Sequence, residues 1–128
     1  MNPPSFLTAS LLVAAGGAVG SWLRFAVGRL VGVSPFPWAT LTVNVVGSFA
    51  MGLLAGWLAR HGQGGEAWRL LVAVGLLGGF TTFSAFSLEL ANFIERGAFG
   101  IGGLYLLTSL AGGIAGLFAG LSLVRAVS

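Results

Sequence analysis

Apolar residues run along this chain in four blocks, at about 5–31, 38–60, 67–95 and 99–126. Each block reaches the ~20 residues that a helix needs to cross a hydrocarbon core. The breaks between them are chemically legible. "GVSPFPW" (32–38) joins a glycine, a serine and two prolines, so it ends one helix and starts another. "RHGQGGE" (60–66) reads as the one aqueous loop, and "ERGAFG" (95–100) is short enough to force a tight antiparallel turn. Asn2, Pro3, Pro4 and Ser5 form a helix-start cluster. The first block has no basic leader and outruns a signal peptide, so it reads as a span that is kept.

Composition narrows the class. Of the 128 residues 56% are hydrophobic and 7% charged, with a mean hydropathy of +0.97. A water-soluble domain of this size has too little polar surface to cover that much apolar material. The predicted fold is an all-α integral membrane protein, one four-helix transmembrane domain over residues 1–128. The net charge of +3 comes from six arginines set against Glu66, Glu89 and Glu95. No basic face is clustered enough for nucleic acid. Cysteine is absent, which removes disulfides and thiolate metal sites. No ATP motif or catalytic constellation is present, so the chain reads as a non-enzyme. His61, in the aqueous loop, reads as a solvated residue.

Four spans put both termini on one side. That side carries Arg60, Arg69 and Arg125, and the other carries Arg29 and Arg96, with Arg24 if it is counted. Orientation follows the asymmetry of such flanks, and here almost none exists. Either the chain inserts both ways round, which would allow an antiparallel dimer, or its first helix fixes one orientation weakly. Glycines recur at four-residue steps: Gly16, Gly20, Gly28 and Gly32, then Gly52 and Gly56, then Gly112, Gly116 and Gly120. Small residues so spaced let helices approach closely in lipid, and that packing explains them without further chemistry.

Several polar residues need more explanation. Thr40, Asn44 and Ser48 lie at i, i+4 and i+8, one polar stripe on the second helix. The Asn44 amide offers two N–H donors, to a neighbouring helix or to a ligand. Tyr105 and Ser109 repeat the spacing on the fourth helix, with Thr108 beside them. Arg24 falls in the gap of the first glycine stripe and points to protein. It is a structural or snorkelling arginine, or one that meets an ion, with Glu89 its candidate partner. The third block is near 29 residues, or ~44 Å as a straight helix, longer than a ~30 Å core. It contains "LLGGFTTFSAFS" (76–87), which predicts a helix broken at Gly78-Gly79. Irregular backbone at that depth must be buried or line water. The freed carbonyls suit a cation and the following helix start an anion. Phe80, Phe83 and Phe86, spaced by three, would share a face, and their ring edges are positive.

Three stretches, "GGAVGSWLRF" (16–25), "ATLTVNVVGSF" (39–49) and "GGFTTFSAFSLE" (78–89), closely resemble the CrcB/Fluc family of small membrane fluoride channels over nearly the whole chain. The resemblance implies a multi-pass protein of the bacterial inner membrane (the plasma membrane), an antiparallel dual-topology homodimer in the lipid bilayer, with two pores. Its partners would be fluoride ion and a second copy, with no nucleic acid or other protein. It implies that Asn44 donates to F-, that Phe83 and Phe86 offer ring edges, and that Ser84, Thr82, Tyr105 and Ser109 line the track. Thr40 and Arg24 would belong to its outer parts and Glu89 would lie near it. The implied cofactor is a structural Na+ at the dimer centre, held by the backbone carbonyls of Gly78 and Thr81. One departure stands out: Gly113 occupies a place where some members carry a second hydroxyl. The small multidrug exporters are also four-span, but they need an acid on the first helix, where this chain has Arg24. A non-transporting assembly protein packed on its glycines would tolerate changes at Asn44 and Phe83.

Overall fold

The computed structural model describes residues 2–127. Its elements are α1 (Phe6–Val31), α2 (Trp38–His61), a 3-10 turn (Gly62–Gly65), α3 (Glu66–Trp68), a π-helix (Arg69–Leu77), α4 (Gly78–Phe80), α5 (Phe83–Glu95) and α6 (Phe99–Ala126). Among the described residues four runs are long and apolar enough to cross a membrane: α1, α2, Glu66–Glu95 and α6. They match the four apolar blocks to within a residue at each end.

Local chemistry sets the ends. Ser5 caps α1, its Oγ accepting the Thr8 N–H at 3.2 Å. α5 closes in a Schellman turn: Ala98 N–H reaches the Phe93 carbonyl at 2.8 Å and Gly97 N–H the Ile94 carbonyl at 3.0 Å. That turn needs Gly97 at φ 73°, a conformation glycine adopts without a Cβ penalty. His61 is exposed but not merely solvated. It stacks on Trp57 at 4.0 Å between centroids and its Nδ1 lies 2.8 Å from the Trp57 carbonyl.

Two close helix pairs build the bundle. α1 crosses the first half of the third span where glycines face backbone. A Cβ on Gly79 would sit 2.7 Å from the Gly17 carbonyl oxygen, and one on Gly20 would collide with that of Leu76. α2 and α6 meet the same way, with Gly52 against the Leu117 carbonyl and Gly120 against that of Phe49. Such approaches release dispersion energy that lipid-facing side chains cannot supply. The glycine stripes thus divide by role, because Gly28 and Gly32 meet nothing within 4 Å. α5 rests on α6 through Phe86, Phe93 and Tyr105, the buried cluster of the fold.

The third span accommodates its 30 residues by changing its winding. Residues 69–77 wind as a π-helix, and the Gly78 N–H reaches the Ala73 carbonyl. Gly78 and Gly79 are themselves helical, contrary to the expectation of a break at the pair. The extended residues come later: Thr81 at φ −84°, ψ 157° and Thr82 at φ −148°, ψ 119°. Gly79 is needed for the crossing with α1 rather than for a bend, while a Cβ on Gly78 would meet only the Ala73 carbonyl of its own span, at 3.6 Å.

Candidate functional site

The face of α2 that carries Asn44 and Gly47 packs on the extended pair. Gly47 is buried, and the Thr81 Cγ2 occupies the space its Cβ would fill. This brings Asn44 to the backbone of Thr82, which it clamps from both sides. Asn44 Nδ2 donates to the Thr82 carbonyl at 3.0 Å, and the Thr82 N–H donates to Asn44 Oδ1 at 2.8 Å. The clamp replaces helix bonds that the extended conformation forgoes, as membrane depth requires. One Nδ2–H is used by the clamp, leaving a second donor on a residue that lines the cavity.

Thr82 is also the N-cap of α5, its Oγ1 accepting the Ala85 N–H at 3.1 Å and lying 3.3 Å from Ser84 Oγ. These diversions have a consequence for two carbonyls. The Thr82 N–H would continue the helix onto Gly78, and the Ala85 N–H onto Thr81, but both are spent elsewhere. The neighbouring Gly79 carbonyl accepts from Arg24 Nε at 3.2 Å. Arg24 therefore organises the span from within.

A cavity of about 300 Å³ opens beside the clamp. Asn44, Ser48, Thr82, Phe83, Phe86 and Ser109 are among its lining residues. Phe83 and Phe86 stand 5.8 Å apart, tilted by 42°, while Phe80 precedes the extended pair and lies beside Gly47, so the three phenylalanines do not share a face. Phe86 is buried and Phe83 is 79% exposed, leaving that ring for something outside this chain to cover.

On α6, Tyr105 is fully buried, packed against Phe36, Phe86 and Phe93 at 5.6, 5.1 and 6.0 Å between centroids. Its hydroxyl has Thr40 and Glu89 as neighbours but forms no well-aligned hydrogen bond with any described residue. Ser109 Oγ, one turn along, is likewise buried without a partner among the described residues. Two orphaned hydroxyls in one row are unusual, since buried polar groups are nearly always paired.

Thr40 Oγ1 donates to Glu89 Oε1 at 2.5 Å, and both border a second hollow of about 270 Å³ with Asn92 and Arg96 near the α1–α2 connection. Glu89 and Arg24, candidate partners by sequence, are held apart in different bonds. Sequence reasoning passed over Gly47. A glycine three residues after Asn44, on the same helical face, was the available signal.

The family model described as "CrcB-like protein, Camphor Resistance (CrcB)" matches residues 11–121. The chain belongs to the CrcB-like family. Among its curated relatives, a protein named "Fluoride-specific ion channel FluC" from Novosphingobium aromaticivorans is 54% identical over 127 residues, covering 95% of this chain and all of the relative. A protein of the same name from Caulobacter vibrioides is 53% identical over 122 residues (91% of this chain, 95% of the relative). Another from Agrobacterium fabrum is 52% identical over 118 residues (89% and 94%). Full-length similarity to bacterial channel proteins, with four membrane-length helices, makes this CrcB-like chain a multi-pass protein of the bacterial inner membrane and not an enzyme.

Proposed function

We propose that this chain is a fluoride-selective channel through which F- leaves the cytoplasm passively, down its electrochemical gradient, lowering fluoride toxicity. The observation that carries the reading is the pair of buried, unpartnered hydroxyls on α6, with Ser109 on the wall of the cavity beside the Asn44 clamp. The name of the full-length relatives supports the choice of ion.

Stripping a small anion of water costs tens of kcal/mol unless fixed ligands replace its hydration. The site offers neutral donors of the required kind. Asn44 is oriented by its own clamp, so its remaining N–H is aimed without further loss of freedom. The α5 N-terminus contributes its positive end, and Phe83 and Phe86 contribute ring edges. Thr82 and Ser84 hydroxyls lie at the same turn. Tyr105 and Ser109 continue the row toward Thr40 and Glu89, with Arg24 on the flank. A track of single donors is too narrow for larger halides. Acid conditions drive HF into cells, where it dissociates, and a passive leak of the anion is sufficient to remove it.

The finer architecture is an antiparallel dual-topology homodimer with two pores. The exposed Phe83 ring and the nearly balanced arginine flanks support it, since a second copy laid over this face closes the pathway and offers its own. The Gly78 and Thr81 carbonyls, deprived of helix donors, are the hard, neutral oxygens that suit a Na+ ion. Na+ held there would offset anion repulsion and hold the two copies together.

The test is fluoride efflux from K+-loaded liposomes carrying the purified protein, started with a K+ ionophore and read by a fluoride electrode, with chloride in parallel. Rapid fluoride loss without comparable chloride loss is expected. Folded protein that passes no fluoride overturns the proposal.

A further inference from the structure

The α6 row of hydroxyls stops at Gly113, one turn beyond Ser109, where the helix has no side chain to offer. Opposite stands Ser48 of α2. A Cβ on Gly113 would lie 3.6 Å from Ser48 Oγ, an ordinary contact, so the hydroxyl occupies the space onto which position 113 opens. Ser48, Ser109 and Gly113 border both the main cavity and a further hollow that runs on to Ile114 and Leu117.

Two observations separate a ligand-facing serine from one chosen for packing. First, Ser48 Oγ has no hydrogen-bond partner among the described residues. Ser10, Thr81 and Thr108, by contrast, donate to the carbonyl four residues back in their own helices, at 2.7 to 2.9 Å. The Ser48 hydroxyl keeps its donor and its lone pairs for the cavity. Second, the tightest α2–α6 approaches fall at Gly52 and Gly120, not opposite Ser48. A Cβ on Gly116 would lie 3.2 Å from the Val45 carbonyl oxygen, whereas one on Gly120 would collide with the Phe49 carbonyl and crowd the Leu53 backbone. Where Ser48 faces α6, a Cβ on Gly113 would make only an ordinary contact, so the closest part of the crossing does not rest on Ser48. Asn44 and Ser48, four residues apart, share a face of α2, and both line the cavity.

We infer that Ser48 is an ion-contacting donor of the pathway, carrying the row of hydroxyls from Ser109 on α6 across to α2 where Gly113 leaves a gap. The inference rests on the fluoride-channel reading above. A hydroxyl at 113 would point into the same space from the facing wall, so the two positions are interchangeable as sources of one donor.

The experiment compares fluoride efflux of the wild type, Ser48→Ala, and Ser48→Ala combined with Gly113→Ser, in liposomes at equal folded protein. Loss of one hydrogen bond to an anion should slow efflux by about tenfold or more. The second substitution should restore most of the lost rate, which a purely structural role for Ser48 would not allow. Should the Ala variant not purify as folded protein, Ser48→Cys keeps the shape and weakens the donor. Wild-type efflux with Ser48→Ala at the same rate, or a loss that Gly113→Ser leaves unrescued, overturns the Ser48 assignment and leaves the channel intact. Absence of efflux from the wild type overturns the channel reading, and this inference with it.

Discussion

Replacing Asn44 by Asp changes one group and preserves shape. Oδ1 survives as the acceptor of the Thr82 N–H at 2.8 Å, but Nδ2, which meets the Thr82 carbonyl at 3.0 Å, becomes a carboxylate oxygen. The structural loss is one hydrogen bond and a carbonyl left facing oxygen, about 1–3 kcal/mol. A fold of about 5–15 kcal/mol survives that. The loss to a passing anion is larger. A donor worth about 1.5–3 kcal/mol disappears. A negative charge ~4 Å from the path adds about 4 kcal/mol at an effective dielectric near 20. The total near 6 kcal/mol corresponds to roughly four powers of ten. The assay is liposome efflux at equal protein, with size exclusion and thermal melting to certify the fold. Asn44→Asp should elute as wild type, melt somewhat lower and pass no fluoride above background. Efflux within about tenfold of wild type from folded protein would remove Asn44 from the pathway and leave it only the Thr82 clamp.

Tyr105→Phe deletes a hydroxyl with no well-formed hydrogen bond among the described residues, so stability should hold or rise by up to about 1 kcal/mol while efflux falls several-fold. A clear drop in stability would mean the hydroxyl has a structural partner. Gly79→Ala forces a Cβ to within 2.7 Å of the Gly17 carbonyl oxygen and should destabilise by at least about 1–3 kcal/mol. Gly28→Ala, with nothing within 4 Å, should gain about 1 kcal/mol from helix propensity, and equal effects at the two positions would contradict the assignment of the crossing. Gly97→Ala must hold φ 73° with a Cβ, costing about 1–2 kcal/mol. Its efflux per folded protein should be unchanged, since the turn contributes no residue to the main cavity.

The chain's composition and its periodic interruptions determined the class and the four helical runs, because a membrane admits few backbone solutions and demands ~20 apolar residues for each. The residues able to handle an anion were legible for the same reason. Asn44, Thr82, Tyr105 and Ser109 are conspicuous where nearly everything else is apolar, and family resemblance gave them candidate roles. What sequence could not supply was direction and pairing. The glycine pair reads as a bend, yet Gly79 is a contact surface for α1, and the extended residues are Thr81 and Thr82, where Asn44 reaches across from α2 to hold the Thr82 backbone. Arg24 and Glu89 are the natural ion pair on paper, yet one holds the Gly79 carbonyl and the other the Thr40 hydroxyl. Nor could spacing tell Ser48 from a packing serine. That depends on where along α2 the helix α6 comes closest, which the fit of Gly52 against Leu117 and of Phe49 against Gly120 decides. A periodic pattern records which residues share a face of one helix. Only the packed structure decides what that face meets, since contact depends on the crossing of two helices distant in sequence.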